Sequence, residues 1–512
     1  MRKQGKYCLI RKKCTESELC MRIHPCLSDF KKLAKSGNLI PIYAEIFADM
    51  ETPVSAFKKI ESKYSFLLES VVGGERLARY SFLGSDPSVL FISKDNNIEI
   101  VRQGKNTAFT AKKDCLEALK ELMAEYKPVR VPGLPLFSGG AVGYLSYDMV
   151  RYFEELPEKN EDDRSLPDAA FMITDTLLVF DHIKHTIKVV ANVLVKGSPE
   201  KAYEKGVESI EKLVGKLKKP AKGSILSGRD GKKTHAAMVS NTSKNKYVEM
   251  VEKAKEYIKT GDIFQVVLSQ RLSAVSSTDS FDIYRALRVI NPSPYMFYLK
   301  YGDLRVAGAS PEIMVKVENG IVTERPIAGT RPRGKDEAED EKLTKELLKD
   351  PKELAEHVML VDLARNDIGR VCDYSSIKVD EMLSVEKYAF VMHIVSNVTG
   401  RLKMDRDAYD VIRSCFPAGT VSGAPKIRAM EIIEELEPVQ RGPYAGMIGY
   451  FGFNGNLDSC ITLRTMVINK NRVYVQAGAG IVADSDPKTE YQETLNKAKA
   501  LMSAVELAGK GL

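Results

Sequence analysis

The chain has no tryptophan and only six histidines among its 512 residues. With so few imidazoles, and no His or Cys pair at ligand spacing on a helix, zinc is a poor fit. No stretch of about 18 apolar residues occurs, and no signal-peptide layout opens the chain, so a cytoplasmic location with no membrane role is expected. The Gly-Lys-Ser/Thr ending of a phosphate loop is missing, which leaves nucleotide binding without support. The net charge of +7 comes from lysines spread along the chain with no aromatic–basic motif, so anionic small molecules are favoured and nucleic acid is not. Cysteine is not scarce, yet it forms no zinc or disulfide pattern. Cys115, Cys372, Cys415 and Cys460 lie in apolar contexts, as buried thiols do, whereas Cys8, Cys14, Cys20 and Cys26 recur every six residues in a basic arm.

What is present is the make-up of a globular protein, 44% hydrophobic and 28% charged, long enough for two or three cores or one large interwoven one. Residues 1–39 read as an extension, with a short helix over 27–36 stopped by Gly37. Residues 40–215 form a first region: strands at 40–47 and 64–70, a helix over 53–60, β segments punctuated by glycine near 79–84 and 139–148, a hairpin over 171–181 and 186–194, and a helix over 199–217. The 216–245 stretch, rich in Lys, Gly and Ser, reads as a linker or surface loop. In the second region, 246–508, a helix over 247–259 ends at Gly261, and a strand follows over 262–269. Asn319-Gly320 and Asn454-Gly455 predict two-residue hairpins. The second opens a meander with strands near 446–453, 457–468 and 472–477. No regular βαβ rhythm or fixed-period repeat appears, so the expected class is α+β, with large, mostly antiparallel sheets flanked by helices.

That meander runs into Ala477-Gly478-Ala479-Gly480, read as a glycine loop whose backbone N–H groups can approach a ligand closely. Asp486-Pro487 then starts a helix on which Glu490, Glu493 and Lys497 share one face. The same opening recurs at Asp350-Pro351, read as a full capping box with Glu353, and followed by Glu356 and His357. A solvated amphipathic helix after a tight turn has the same look. Two such helices, each with a Glu pair, suit a hard cation such as Mg²⁺, which keeps waters and shares its shell with an anionic substrate. The expectation is that the four glutamates converge to cage one divalent ion.

Three other segments carry chemistry. Residues 325–334 pack Arg325, Arg331 and Arg333 with Gly329 and Thr330 into a non-helical stretch, a natural anion cradle that also reads as a basic surface loop. Residues 416–426 form a small-residue loop with hydroxyls, Thr420 and Ser422, that opens a helix at Pro425. Arg464 is read as mid-strand on a sheet's interior side, where it needs an anionic partner such as a bound carboxylate. His393, in an apolar strand-like run, reads on its own more readily as a satisfied core histidine than as a catalyst.

The ordered set DIFQVVLSQR, PSPYMFYL, GASPE, ERPIAGTRPRG, KELAEHVMLVDLARNDIGR, FPAGTVSGAPK, GPYAGMIGY, ITLRT and QAGAGIVADSDPKTEYQETLNKA resembles the chorismate-utilising enzymes. Within them it is most similar to the large subunits (component I) of anthranilate synthases, over essentially residues 40–505. The resemblance implies that fold, with 40–215 as a tryptophan-binding regulatory region and 246–508 as the chorismate-binding catalytic domain. It implies Mg²⁺ as cofactor on Glu356 and Glu493, with Glu353 and Glu490 nearby. It implies chorismate contacts at Gly329, Thr330, Thr420, Tyr444, Arg464, Gly478, Ala479, Gly480 and Lys497, and acid/base positions at His393 and Glu312. Ser70, within Leu67-Leu68-Glu69-Ser70, and Pro294-Tyr295-Met296 match the pocket for tryptophan as feedback inhibitor.

Two residues choose among relatives. Those that add water carry Lys where this chain has Gln265, and an amide is no base, which fits ammonia as nucleophile. Aminodeoxychorismate synthases typically carry a nucleophilic Lys where this chain has Ala328, and a methyl group is no nucleophile. No glutaminase-type Cys motif follows, so a separate glutamine amidotransferase subunit (component II) is the expected partner for glutamine-dependent activity. The rivals are an aminodeoxychorismate or isochorismate-type synthase, or a catalytically silent sensing or nucleotide-binding protein on the same fold.

Overall fold

The computed structural model describes residues 21–70, 79–220, 237–388 and 391–511. Cys8, Cys14 and Cys20 lie outside them. Two large sheets dominate, and every strand pair in both is antiparallel. The first, with 13 strands among the described residues, carries from one edge towards the other the strands Leu39–Phe47, Thr186–Leu194, Thr176–Asp181, Tyr80–Ser85, Tyr64–Glu69, Tyr295–Tyr301, Leu304–Ser310, Thr465–Asn469, Arg472–Ile481 and Gln265–Val275. The second, with 12, centres on Leu457–Ile461, Met447–Gly452, Gly140–Leu145 and Ala169–Thr174.

Both ladders run across the 216–245 stretch. Met296 pairs with Glu69 in the first sheet, and Met447 pairs with Leu145 in the second. The two regions are therefore one interwoven body. Period-two alternation shows how the second sheet is buried on both faces. Val142, Tyr144, Ala170 and Met172 pack into the core shared with the first sheet. Ala141, Leu145, Phe171 and Ile173 pack on the other side, against the Cys115–Ala124 and Ala408–Cys415 helices. Cys115, Cys372, Cys415 and Cys460 are free, buried thiols, as expected.

Several expected elements shift. The 27–36 helix spans only Leu27–Leu33. The 247–259 helix is Lys244–Thr260, capped by Ser243 and ending at Gly261 in the left-handed region. The 262–269 strand runs Gln265–Val275. Asn319 and Gly320 both take positive φ, as a two-residue hairpin requires. Asn454-Gly455 instead sits in a longer loop, because Gly452 closes on Asn456. The 457–468 strand is broken: Leu457–Ile461 belongs to the second sheet and Thr465–Asn469 to the first. Thr462, Leu463 and Arg464 carry the chain between the sheets.

Candidate active site

Ala477-Gly478-Ala479-Gly480 is not a loop but the far half of the Arg472–Ile481 strand. Its neighbour on one side, Thr465–Asn469, pairs only as far as Val475, so residues 477–481 leave that edge open. On the other side Leu268 pairs with Ala479. Val267 N–H goes to the Ser422 carbonyl and Ser269 N–H to Glu437 Oε1, both away from the glycine strand. Alternation then makes Leu268 and Ala479 a hydrogen-bonded pair and turns the peptide groups of Gly478 and Gly480 to the open edge. Ala479 therefore spends its own N–H on the ladder and buries its methyl in a core with Tyr247 and Ile432. A Cβ at Gly478 would stand 2.8 Å from Tyr444 Oη and 2.9 Å from the Leu268 carbonyl, so only glycine lets the Tyr444 hydroxyl approach this backbone. Burial pushes that phenol up to about 12, keeping it a neutral donor.

Both acidic helices send side chains to this edge. The Pro351–Gly369 helix brings Glu356, whose Oε1 accepts from Gln265 Nε2 at 3.1 Å, and that amide lies over Gly480. The Pro487–Lys510 helix starts at the Asp486 cap and brings Glu493, paired with Lys497 at 2.6 Å. Lys497 Nζ also donates to the Gly478 carbonyl at 3.1 Å. Glu490 stands nearby, its carboxyl raised by burial and further by Glu493, against the pull of Lys352 from the other helix.

The four-glutamate cage does not form. Glu353 is taken by Arg331, which also binds Asp350 and Glu346, and Asp350 caps Lys352 and Glu353 without a reciprocal bond. Among the described residues no group of three or more His, Cys, Asp or Glu gathers at coordination distance. Glu356 keeps most of its acceptor capacity and Glu493 is partly exposed, which fits a hard cation that completes its shell with water and substrate oxygen. His357 is no ligand: it is buried, bonded to Ser396 Oγ at 2.7 Å, and burial depresses its imidazole to about 4.

On the opposite wall stand His393 and Glu312. The Ile327–Pro332 strand bulges at Gly329, whose φ of +65° and surroundings (a Cβ would meet Glu353 Oε2 at 3.2 Å) demand glycine. The Gly329 carbonyl meets His393 Nδ1 at 2.9 Å, with Thr330 Oγ1 at 3.1 Å. A carbonyl only accepts, so Nδ1 carries the hydrogen and Nε2 is left as the base. Burial lowers the His393 imidazole, and Arg464 adds to that. Glu312 follows the Leu304–Ser310 strand and is buried, its carboxyl pushed up to about 8 by desolvation against the weaker pulls of Thr420 and Lys497.

Arg464 is not mid-strand. It sits in the crossing between sheets at φ +47°, and no carboxylate among the described residues reaches ion-pair distance of it. Burial lowers its guanidinium, while Tyr444 and Glu493 act against that. A half-buried cation without a counter-ion is a receptor for an anion. The arginine cradle at 325–334 is spent instead: Arg325 binds Glu381 and Glu386, and Arg333 binds Asp340.

A large cavity lies elsewhere, between the two sheets. Its volume is about 490 Å³, and Ser70, Pro294, Tyr295 and Met296 line it together with Glu69 and Asp458. Residues the sequence reading passed over hold the site in shape. Arg441, fully buried and paired with Glu437 at 2.6 Å, donates to the carbonyls of Val421 and Val267, which fixes the Thr420 loop against the sheet. Its sequence context, GluProValGlnArg, carries no signal beyond a charged pair.

A family model for chorismate binding enzymes matches residues 66–503. Anthranilate synthase component 1 of Acetivibrio thermocellus is 52% identical over 95% of this chain and 99% of its own length, and that of Synechocystis sp. is 49% identical over 94% and 99%. The crystal structure of anthranilate synthase component I from Streptococcus pneumoniae superposes with a TM-score of 0.75 at 40% identity, covering 89% of this chain and 98% of that one. A menaquinone-specific isochorismate synthase from Escherichia coli, at 18% identity and a TM-score of 0.68, shares the fold. With Glu356 and the Glu493–Lys497 pair both reaching the open glycine edge, and with relatives matched over nearly their full length, the chain belongs to the chorismate binding enzymes.

Proposed function

We propose that the chain is the large subunit of an anthranilate synthase, converting chorismate and ammonia to anthranilate and pyruvate, the first committed step of tryptophan biosynthesis. The observation that carries the choice among related reactions is Gln265. Its amide faces the glycine edge and donates to Glu356, so the side chain at this position is no base to activate water.

Arg464 and Tyr444 hold the pyruvyl carboxylate, and Gly478 and Gly480 offer amides to the other end, with Gly329, Thr330, Thr420 and Lys497 completing the contacts. Ala479 contributes shape alone. Glu356 and Glu493, with Glu490 beside them, would hold Mg²⁺, which when bound supplies positive charge against the ring carboxylate and the departing hydroxyl. Glu312, protonated at neutral pH by its burial, gives its proton to the C4 hydroxyl as water leaves. Ammonia adds at C2. His393 Nε2 then takes the C2 proton as enolpyruvate departs, and the ring becomes aromatic.

A glutamine amidotransferase subunit (component II) supplies the ammonia in this reading. Tryptophan is the inhibitor that enters the cavity between the sheets at Ser70, Pro294, Tyr295 and Met296. A cytoplasmic location fits the scattered buried thiols. Chromatographic analysis of the product from chorismate, Mg²⁺ and ammonium tests the assignment. Anthranilate plus pyruvate is expected, and isochorismate or aminodeoxychorismate would refute it. Glutamine turnover by the lone chain would refute the separate amidotransferase.

A further inference from the structure

The two glutamates that reach the open glycine edge have different kinds of partner. Glu356 accepts from the Gln265 amide at 3.1 Å, a neutral donor that leaves its charge in place. Glu493 instead carries an ammonium: Lys497, one turn further along the same helix, stands 2.6 Å from its Oε1. The same Nζ donates to the Gly478 carbonyl at 3.1 Å, which sets it at the edge itself. Lys497 also faces Glu490 on its own helix and Glu312 on the opposite wall. Lys352 faces Glu490 from the other acidic helix, and Arg464 faces Glu493. Arg331 is engaged with Glu346, Asp350 and Glu353.

Lys497 therefore does for Glu493 what a bound cation would do. The lysine side chain is 37% exposed and the glutamate 44%, so the pair adds little to folding stability. Its weight falls on ligand binding. A divalent cation and an ammonium compete for one carboxylate, and each repels the other. A metal ion binding to the free protein must displace Lys497 or sit beside it at reduced affinity. An incoming carboxylate has the opposite effect. Lys497 is a compact charge on a flexible stem, and its contacts are Glu493 and a backbone carbonyl, so it can turn to an anion along the edge without movement of the helix. That turn frees Glu493.

We propose that Lys497 couples metal to substrate: it neutralises Glu493 in the free protein and passes to a chorismate carboxylate when substrate binds, so that Mg²⁺ and chorismate each raise the affinity for the other. The proposal rests on the reading of Glu356 and Glu493 as holding Mg²⁺ and of the glycine edge as holding chorismate. The two states are Lys497 on Glu493 and Lys497 on the substrate, and each ligand favours the second. By linkage, the factor that chorismate contributes to metal affinity is the factor that metal contributes to chorismate affinity. The cation is held firmly only once the substrate is there to share its shell.

The test measures binding, not turnover. Mn²⁺ serves as the probe, because carboxylate and water sites accept it as they accept Mg²⁺, and its paramagnetic resonance counts the unbound ion. Ammonium is left out so that chorismate persists. In the full wild-type chain, saturating chorismate should tighten Mn²⁺ binding by about tenfold or more. Lys497→Met keeps the helix preference and most of the length but not the charge. Without chorismate it should bind Mn²⁺ about tenfold more tightly than wild type, and saturating chorismate should then add less than about threefold. Lys497→Arg, which keeps the charge, should behave as wild type. A lysine that merely stood nearby would alter metal affinity and leave the chorismate factor as it was. An undiminished chorismate factor in Lys497→Met, or Mn²⁺ binding no tighter than wild type, would overturn the proposal and leave Lys497 a substrate contact alone. Equal Mn²⁺ binding by wild type and Glu493→Gln, with and without chorismate, would sink the reading of the metal centre as well, and is scored separately.

Discussion

His393 Nδ1 is committed to the Gly329 carbonyl, and the imidazole is held below its usual range by burial. Its basic form therefore persists to pH values under the ordinary histidine value of about 6.5. Glu312, with its carboxyl pushed up to about 8, keeps its acid form up to that pH. The profile of kcat/KM should be a bell whose acid limb lies below 6.5 and whose alkaline limb lies near 8. An alkaline limb near 4 to 5 would remove Glu312 as the acid. Arg464 makes the complementary point about strain. A non-glycine residue at φ +47° costs about 1–3 kcal/mol, and its guanidinium has no protein counter-ion among the described residues. Arg464→Gly should therefore leave the melting temperature no lower, yet raise KM for chorismate by about ten- to hundredfold through the lost charge-assisted bonds. A fall in stability with an unchanged KM would show that Arg464 serves the fold alone.

The elements that build the site were legible in the sequence to different degrees. The Pro199–Leu217 helix shows its cap, periodicity and end in the text, and its bounds agree with the reading. Asp486-Pro487 marks the start of the second acidic helix just as clearly. The glycine stretch reads as a loop because small residues carry no β signal, and its strand character comes from pairing with residues 265–275, two hundred positions away. Arg464 reads as mid-strand for a related reason: alternation continues through 457–468, and nothing local says that the two halves join different sheets. Arg325, Arg331 and Arg333 looked like an anion cradle because their carboxylate partners come from other segments. At the element scale, Gly478→Ala is the sharpest probe. Its methyl would press on the Leu268 carbonyl, a backbone atom that cannot swing away, and on Tyr444 Oη. A loss of at least about tenfold in kcat/KM is expected with the far-ultraviolet spectrum intact, since overpacking costs about 1–3 kcal/mol. Wild-type kinetics would mean that substrate does not use this edge.

For the molecule as a whole, the interwoven sheets put the 490 Å³ cavity and the acidic edge in one body. Pro294, Tyr295 and Met296 line the cavity at the start of the strand that leads through its hairpin to Glu312, and Cys460 lines it four residues before Arg464. A ligand that fills the cavity therefore touches strands that lead to Glu312 and Arg464, the groups proposed to act on chorismate, and that contact is the proposed mechanical route for inhibition. Since the chain has no tryptophan of its own, the emission of added tryptophan reports binding alone. The account expects a shifted emission, inhibition, and a stabilisation of about 2.7 kcal/mol at a hundredfold excess over Kd. Met296→Tyr, which fills the space without adding an indole, should abolish both the shift and the inhibition. Persistent inhibition in that variant would place the inhibitor elsewhere.

The central claim is that Glu356 and Glu493, brought together from two distant helices, serve one chemical centre. It is tested most directly by following anthranilate fluorescence from chorismate and ammonium with Mg²⁺ present, for the wild-type chain and for Glu493→Gln. Emission should grow with wild type, stop on adding EDTA, and fall by about a hundredfold or more in a Glu493→Gln variant that remains folded. Undiminished emission from that variant, or none from the wild type, would contradict the account.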